Sequence, residues 1–416
     1  MNTTPNSNRK HIAIFGKTNA GKSSLINKIL GQEISIVSEL KGTTTDPVSK
    51  AMELIPIGPV LFIDTAGFGD NSELGELRSN KTFDIMKRTD FALYVMDVND
   101  LDMKSYEEAR LNLKKYNIPH ILVVNKIDTV ENKVLKALKN EAVEEILIPQ
   151  KDKKDLKELR SKIAGGILVS TASGEGIEDL KNKLVEKLQE EEDELPIVGD
   201  LLPYNSKVIL VVPVDSEAPK GRIILPQVQC IRDCLDHGIK SYVVRDTELE
   251  AALEDIKDVD LVITDSQAFK KVSEIVPANI KLTSFSILFA RHKGELSAFV
   301  EGANKIKELT KDSKILISES CSHNVSHEDI GRVKIPKMIN KHVGFELNYD
   351  YRVGHDFPED IENYDLIIHC GACMINRKTV LNRIDMCKAK GTSITNYGVI
   401  MAYLTGILDR TLSVFR

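Results

Sequence analysis

The sequence predicts an α/β protein built from several wound units. Short apolar runs alternate with amphipathic stretches along most of the chain, the pattern of βαβ crossovers and parallel sheets. A glycine-rich turn sits between the first apolar run and the first helical stretch. At about 100–200 residues per domain, 416 residues leave room for roughly two to four domains.

The first unit spans residues 8–189. His11–Phe15, Val60–Asp64, Phe91–Asp97, His120–Asn125 and Gly166–Ser170 read as buried strands. Lys22–Leu30 and Lys104–Tyr116 read as helices between them, and Ile177–Gln189 as the helix that closes the unit. The acidic run Glu190–Glu194, followed by Pro196, reads as a linker. A second alternation covers 200–282, with strands expected at Val208–Val214, Ser241–Arg245, Leu261–Thr264 and Lys281–Ser286. A third fills 283–416, with strands at Lys314–Ser318, Asp365–His369 and Thr392–Asn396 and helices at Arg377–Ala389 and Val399–Leu408. No internal repeat stands out.

Composition narrows the function classes. The chain is 42% hydrophobic and 28% charged, ordinary for a soluble globular protein. A formal net charge of −6 argues against a nucleic-acid partner, which favours a basic excess. Met1–Lys10 is polar and lacks the apolar core of a secretory signal. The apolar runs are too short to span a bilayer. A cytoplasmic protein without membrane attachment is expected. Six cysteines in such a chain point to metal or redox chemistry before a disulfide framework.

Gly16-Lys17-Thr18-Asn19-Ala20-Gly21-Lys22-Ser23 fits the phosphate-loop pattern G-x-x-x-x-G-K-[ST], followed by Ser24. Its glycines let backbone N–H groups wrap a phosphate at a helix N-terminus. Lys22 would reach the terminal phosphates and Ser23 would bind Mg²⁺. Asp64-Thr65-Ala66-Gly67 ends another strand, with Asp64 placed for the Mg²⁺ shell and the Gly67 N–H for the γ-phosphate. Asn125-Lys126-Ile127-Asp128 follows. A carboxylate there accepts two N–H groups from a guanine edge, which adenine lacks. Ser170-Thr171-Ala172 would offer a backbone N–H to the guanine oxygen. All four segments fall at strand carboxyl ends, where open α/β sheets bind ligands.

The second constellation is C-x-H-x45-H-C-x-x-C, formed by Cys321, His323, His369, Cys370 and Cys373. Soft thiolates suit zinc, Cu(I) or iron–sulfur clusters. A Cys₃His set would complete a zinc site. A 4Fe–4S cluster on three cysteines would leave one iron with another ligand: His323, His369, water or an outside group. Cys230 and Cys234, one turn apart on an expected helix, and Cys387 read as core residues.

The first set of motifs resembles the translation-factor-like small GTPases, in the branch of the bacterial Era and tRNA-modification GTPases. Gly42-Thr43-Thr44-Thr45-Asp46 is similar to that branch's switch I. The resemblance implies Thr44 as second Mg²⁺ ligand, with Thr43 or Thr45 as lesser candidates. Phe68 stands where Ras-like proteins carry a water-orienting Gln. In this branch an Asn at the position of Asn19 helps bind K⁺ in place of an arginine finger.

With the cysteine pattern behind it, the whole chain resembles the maturation GTPases of FeFe-hydrogenases, the HydF family. That resemblance implies a P-loop GTPase domain, a small α/β dimerisation domain and an α/β iron–sulfur cluster-binding domain. It implies GTP hydrolysis, a homodimer, and a 4Fe–4S cluster on Cys321, Cys370 and Cys373. It also implies a di-iron precursor cargo carried to the apo-hydrogenase, with two radical-SAM maturases upstream. The competing expectation is an RNA- or ribosome-associated GTPase with a structural zinc domain.

Overall fold

The computed structural model describes residues 4–31, 48–65, 82–131, 163, 165–190, 195–214, 223–320 and 329–416. Thr43, Thr44, Thr45, Gly67, Phe68, Cys321 and His323 lie outside the described residues. The chain divides into two compact units, Met1–Glu192 and Asp193–Arg416.

The first unit is built on strands β1 (Lys10–Phe15), β2 (Ser49–Leu54), β3 (Gly58–Asp64), β4 (Phe91–Asp97), β5 (His120–Asn125) and β6 (Ile167–Leu168). They form one sheet in the order β2-β3-β1-β4-β5-β6. Only β2 runs antiparallel. Helices α1 (Lys22–Leu30), α2 (Met103–Lys115) and α3 (Ile177–Glu190) belong to this unit.

Burial on both faces explains why the central strands read as continuous apolar runs rather than alternating ones. Along β1, Ile12 and Ile14 enter one core cluster with Leu25, Ile29, Leu180 and Leu184. Ala13 and Phe15 point the other way, into a cluster with Ala109 and Leu113 of α2. The helices are framed by local chemistry. α1 begins after Gly21 and ends at Gly31, both in the left-handed region. The Asp102 carboxylate caps α2 by accepting the Ser105 N–H at 3.1 Å.

The second unit holds two sheets. The first contains β7 (Lys207–Val211), β8 (Lys240–Val244), β9 (Leu261–Thr264) and β10 (Lys281–Ser284), in the order β10-β9-β7-β8. The other contains β11 (Lys314–Glu319), β12 (Asn348–Val353), β13 (Leu366–His369) and β14 (Ser393–Asn396), in the order β12-β11-β13-β14. Read from the first strand of each, these are the same order, and every pairing is parallel.

The two sheets also share a clasp between their first and third strands. Asp260 accepts the Lys207 N–H at 2.8 Å and donates its own N–H to Lys207 O at 3.0 Å. Asp365 does the same with Lys314, at 2.8 and 2.9 Å. A repeat of topology is therefore present where residue identity shows none.

Helices α4 (Leu225–Asp236), α5 (Leu249–Asp255) and α6 (Phe269–Ile275) serve the first of these sheets. The helix α7 (Phe285–Lys293) leaves β10 directly and joins both cores. Its Phe285, Leu288 and Phe289 pack with Val208, Cys230 and Cys234. Its Ile287 and Ala290 pack with Ile317, Ile368 and Val399. Helices α8 (Leu296–Asn304), α9 (Ile335–Val343), α10 (Arg377–Lys390), α11 (Tyr397–Leu404) and α12 (Leu408–Leu412) complete the unit.

The crossing of α8 over β14 leaves no room for a side chain at Gly302. A Cβ there would fall 1.9 Å from Ile394 O, a backbone atom that cannot rotate away. Gly302→Ala should therefore destabilise the unit by about 1–3 kcal/mol, the usual range for overpacking. Circular-dichroism denaturation of the full chain reads this as a lowered midpoint, and an unchanged midpoint contradicts the packing.

Candidate functional site

Parallel pairing brings the first unit's motifs to one edge. The register sets Ile14 beside Asp64, Asp97 beside Asn125 and Val124 beside Leu168. The turn after β1 then lies between the ends of β3 and β4.

That turn requires its glycines. Gly16 has φ 141° and a Cβ on it would lie 2.2 Å from Val95 O. Gly21 has φ 95° and a Cβ would meet Asn125 Nδ2 at 2.2 Å. Asn19 adopts φ 65°, a left-handed conformation that Asn tolerates better than most side chains. Lys22 folds back into the loop and donates to Gly16 O at 3.0 Å and Lys17 O at 2.8 Å. Burial lowers its pKa, with Asp64 working against that shift. Ser23 Oγ donates to Asp64 Oδ2 at 2.5 Å, so the hydroxyl and the carboxylate share one point of space. Ser24 follows Ser23 in the first turn of α1.

The base-side segments form a second frame. Asn125, fully buried, donates to Ala20 O at 2.9 Å and accepts the Thr171 N–H at 3.1 Å. It thereby ties the phosphate loop to the turn after β6. Lys126 is left-handed at φ 65° and its Nζ reaches Asp97 at 2.7 Å. Asp128 accepts the Ser170 hydroxyl at 2.5 Å. Ala172 continues the same turn. The structure thus brings together Gly16, Lys17, Ala20, Gly21, Lys22, Ser23, Asp64, Asn125, Lys126, Asp128, Ser170 and Thr171 at one sheet edge.

Lys17 has partners that sequence reading did not name. It pairs with Asp100 at 3.1 Å and Asp102 at 3.0 Å. A cavity of about 260 Å³ opens there between the loop and β4, lined by Lys17, Asn19, Tyr94 and Asp97 among others. The signal available in the sequence was Asp97 at a strand's carboxyl end.

The donor set fits a magnesium nucleotide. A buried cation, a hydroxyl paired with a carboxylate, and a helix start lacking a side-chain cap face one turn.

In the second unit, His369 ends β13 and Cys370 continues the ladder, its N–H donating to Ser318 O at 2.9 Å. The Cys370 sulfur receives the Ser320 N–H at 3.1 Å and the Ala372 N–H at 3.5 Å, and the Ser320 hydroxyl lies 2.6 Å away. Ala372 makes this contact from a left-handed conformation at φ 56°. Burial pushes the Cys370 thiol up, while the donors from Ser320 and Ala372 pull against that. Such a ring of donors suits a sulfur held as thiolate, the form that ligates metal.

His369 donates from Nδ1 to Cys370 O at 2.8 Å and accepts from Arg383 at Nε2, also at 2.8 Å. Because a guanidinium only donates, the tautomer is fixed. Burial, with Arg383 beside it, brings the His369 pKa down to about 3. Both ring nitrogens therefore hold protein partners. Cys373 is half-buried in the same loop. Cys387, on α10, is buried and its thiol is pushed up to about 12 by burial. Cys230 and Cys234, on α4, point into the core. Among the described residues no group of three His, Cys, Asp or Glu side chains converges on a metal. Among them, too, no helix is long and apolar enough to cross a membrane.

Residues 11–126 match the family described as 50S ribosome-binding GTPase. GTPase Der of Persephonella marina is 36% identical over 167 residues, 36% of this chain and 37% of that protein. The tRNA modification GTPase MnmE of Legionella pneumophila is 42% identical over 123 residues, 29% of this chain and 27% of that protein. The chain thus spans little more than a third of these curated relatives' length at most. A crystal structure of an Aquifex aeolicus Era variant with GDP and aluminium fluoride covers 42% of this chain and 56% of its own, at 25% identity and a TM-score of 0.31.

Beyond the GTPase domain, residues 197–294 match the hydrogen maturase F dimerization domain and residues 297–414 its tetramerization domain. The two matches meet along α7 and α8, where the two sheets of the second unit join. Carrying both domains in order behind its GTPase domain, the chain belongs to the hydrogen maturase F (HydF) family of GTPases.

Proposed function

We propose that this protein hydrolyses GTP and serves as the scaffold and carrier that binds a 4Fe–4S cluster, holds a di-iron precursor and delivers it to apo-FeFe-hydrogenase. The observation that carries the reading is the Cys370 sulfur, ringed by hydrogen-bond partners in the third sheet of a chain whose first sheet carries a phosphate-loop turn with Lys22 folded into it.

In the nucleotide site, Gly16, Lys17, Asn19, Ala20, Gly21, Lys22, Ser23 and Ser24 hold the phosphates. Asn125, Lys126 and Asp128 read guanine, with Ser170, Thr171 and Ala172 closing over the base. Ser23 and Thr44 ligate Mg²⁺, with Asp64 behind Ser23 and Gly67 at the γ-phosphate. Lys22 meets the charge that develops on the transferred phosphoryl group. Asn19 helps hold a K⁺ ion that replaces the arginine finger.

Cys321, Cys370 and Cys373 would hold the cluster, with His323 or His369 as its exchangeable partners. Of the two, His369 would first have to give up its Arg383 bond. The bound cluster supplies an iron without a cysteine ligand, a docking point for the di-iron unit. The chain's part is to orient the sulfurs and exclude water. The protein acts as a homo-oligomer through residues 197–294 and 297–414, with two radical-SAM maturases upstream.

Three outcomes follow. Asp128→Asn should weaken GTP binding at least tenfold and improve xanthosine triphosphate binding, measured by nucleotide titration. Equal, tight binding of ATP and GTP by the unaltered protein would defeat the guanine reading. Hydrolysis should run several-fold faster in K⁺ than in Na⁺, and equal rates remove the proposed role of Asn19. Cys370→Ser should abolish hydrogenase activation while GTP turnover stays near its original rate. Full activation by that variant refutes the scaffold.

A further inference from the structure

Burying a charge is unfavourable unless an opposite charge lies beside it. Two arginines beside the third sheet differ in this respect. Arg332 ion-pairs with the buried Glu319 at 2.7 Å. Arg383, in the middle of α10 and only 3% exposed, has no ion-pair partner among the described residues. Its guanidinium donates to Ser318 Oγ at 3.2 Å, His369 Nε2 at 2.8 Å and Gly354 O at 2.7 Å. Its flat face lies 4.8 Å from the centre of the Phe357 ring. All four neighbours are neutral, and Asp356 acts on it only through space. A guanidinium cannot escape by losing its proton at ordinary pH.

Two of the groups that hold Arg383 also hold the backbone of Cys370. Ser318 accepts the Cys370 N–H through its carbonyl and the Arg383 guanidinium through its hydroxyl. His369 joins Arg383 to the Cys370 carbonyl, one ring nitrogen on each. The charge of a Cys370 thiolate also acts on Arg383 through space. Both connections lead from Arg383 to Cys370, where a metal–thiolate assembly would bring negative charge.

We propose that Arg383 is the charge-compensating and positioning residue of the cluster site, its buried cation offsetting the negative charge of a metal–thiolate assembly at Cys370. This rests on the cluster reading given above. Arg383 offers no atom to the metal. It holds His369 in one tautomer and one orientation, and so fixes the carbonyl of the loop that carries Cys370 and Cys373. Its charge also favours the reduced, more negative state of whatever those sulfurs bind.

The test uses the full chain, reconstituted anaerobically with iron and sulfide, as the original protein and as Arg383→Lys and Arg383→Met. The midpoint potential of the cluster is read by a redox titration followed by electron paramagnetic resonance. Arg383→Met should move the midpoint to more negative values, while Arg383→Lys, which keeps the charge, stays near the original. Arg383→Gln gives the same reading should the Met variant fail to fold. Midpoints that do not respond to the charge, with only a lowered melting temperature, overturn this inference alone. An original protein that takes up no iron overturns the cluster reading and this inference together.

Discussion

Parallel strand pairing is the constraint on which both candidate sites depend. A parallel strand must be reached by a crossover, and each crossover leaves its turn at the same edge of the sheet. In the first unit this collects the ends of β1, β3, β5 and β6 along one rim, and the fully buried Asn125 then fastens two of those turns together. In the second unit the same rule sets the end of β11, with Ser318 and Ser320, beside the end of β13, with His369 and Cys370. The chemistry differs, but the placement has one cause.

The repeated strand order of the two C-terminal sheets gives that point a comparison within the chain. At the end of β9, Asp265 occupies the place that Cys370 takes after β13, and its carboxylate is spent on capping the next short turn through the Gln267 N–H. At the end of β13 the corresponding position carries a sulfur that accepts the N–H two residues on in the same way, from Ala372, and also the Ser320 N–H of the neighbouring strand end. The first of these sheets packs against its neighbour through α7, which leaves the end of β10.

Much of this was legible in the sequence, for physical reasons. Strands buried on both faces, such as Phe91–Asp97 and His120–Asn125, show as unbroken apolar runs, and the phosphate loop needs glycines where a Cβ would collide. The strand β12 was not foreseen, because it lies at a sheet edge and its residues Asn348–Val353 are half-exposed and polar. The topological repeat was hidden as well, since strand order leaves no mark on residue identity. Arg383 could not be picked out: an arginine in an amphipathic helix usually faces water, and only the fold turns this one inward. The Lys17 pair with Asp100 and Asp102 depends likewise on a contact across more than eighty positions.

The central claim is that one chain joins a guanine-nucleotide site to a cluster-bearing sheet. Anaerobic iron, sulfide and zinc analysis of the unaltered full-length chain, with electron paramagnetic resonance of the reduced protein, tests it most directly. The account predicts about four iron and four sulfide per chain, with the signal of a reduced 4Fe–4S centre. A colourless protein holding one zinc per chain, with no iron after reconstitution, would contradict it.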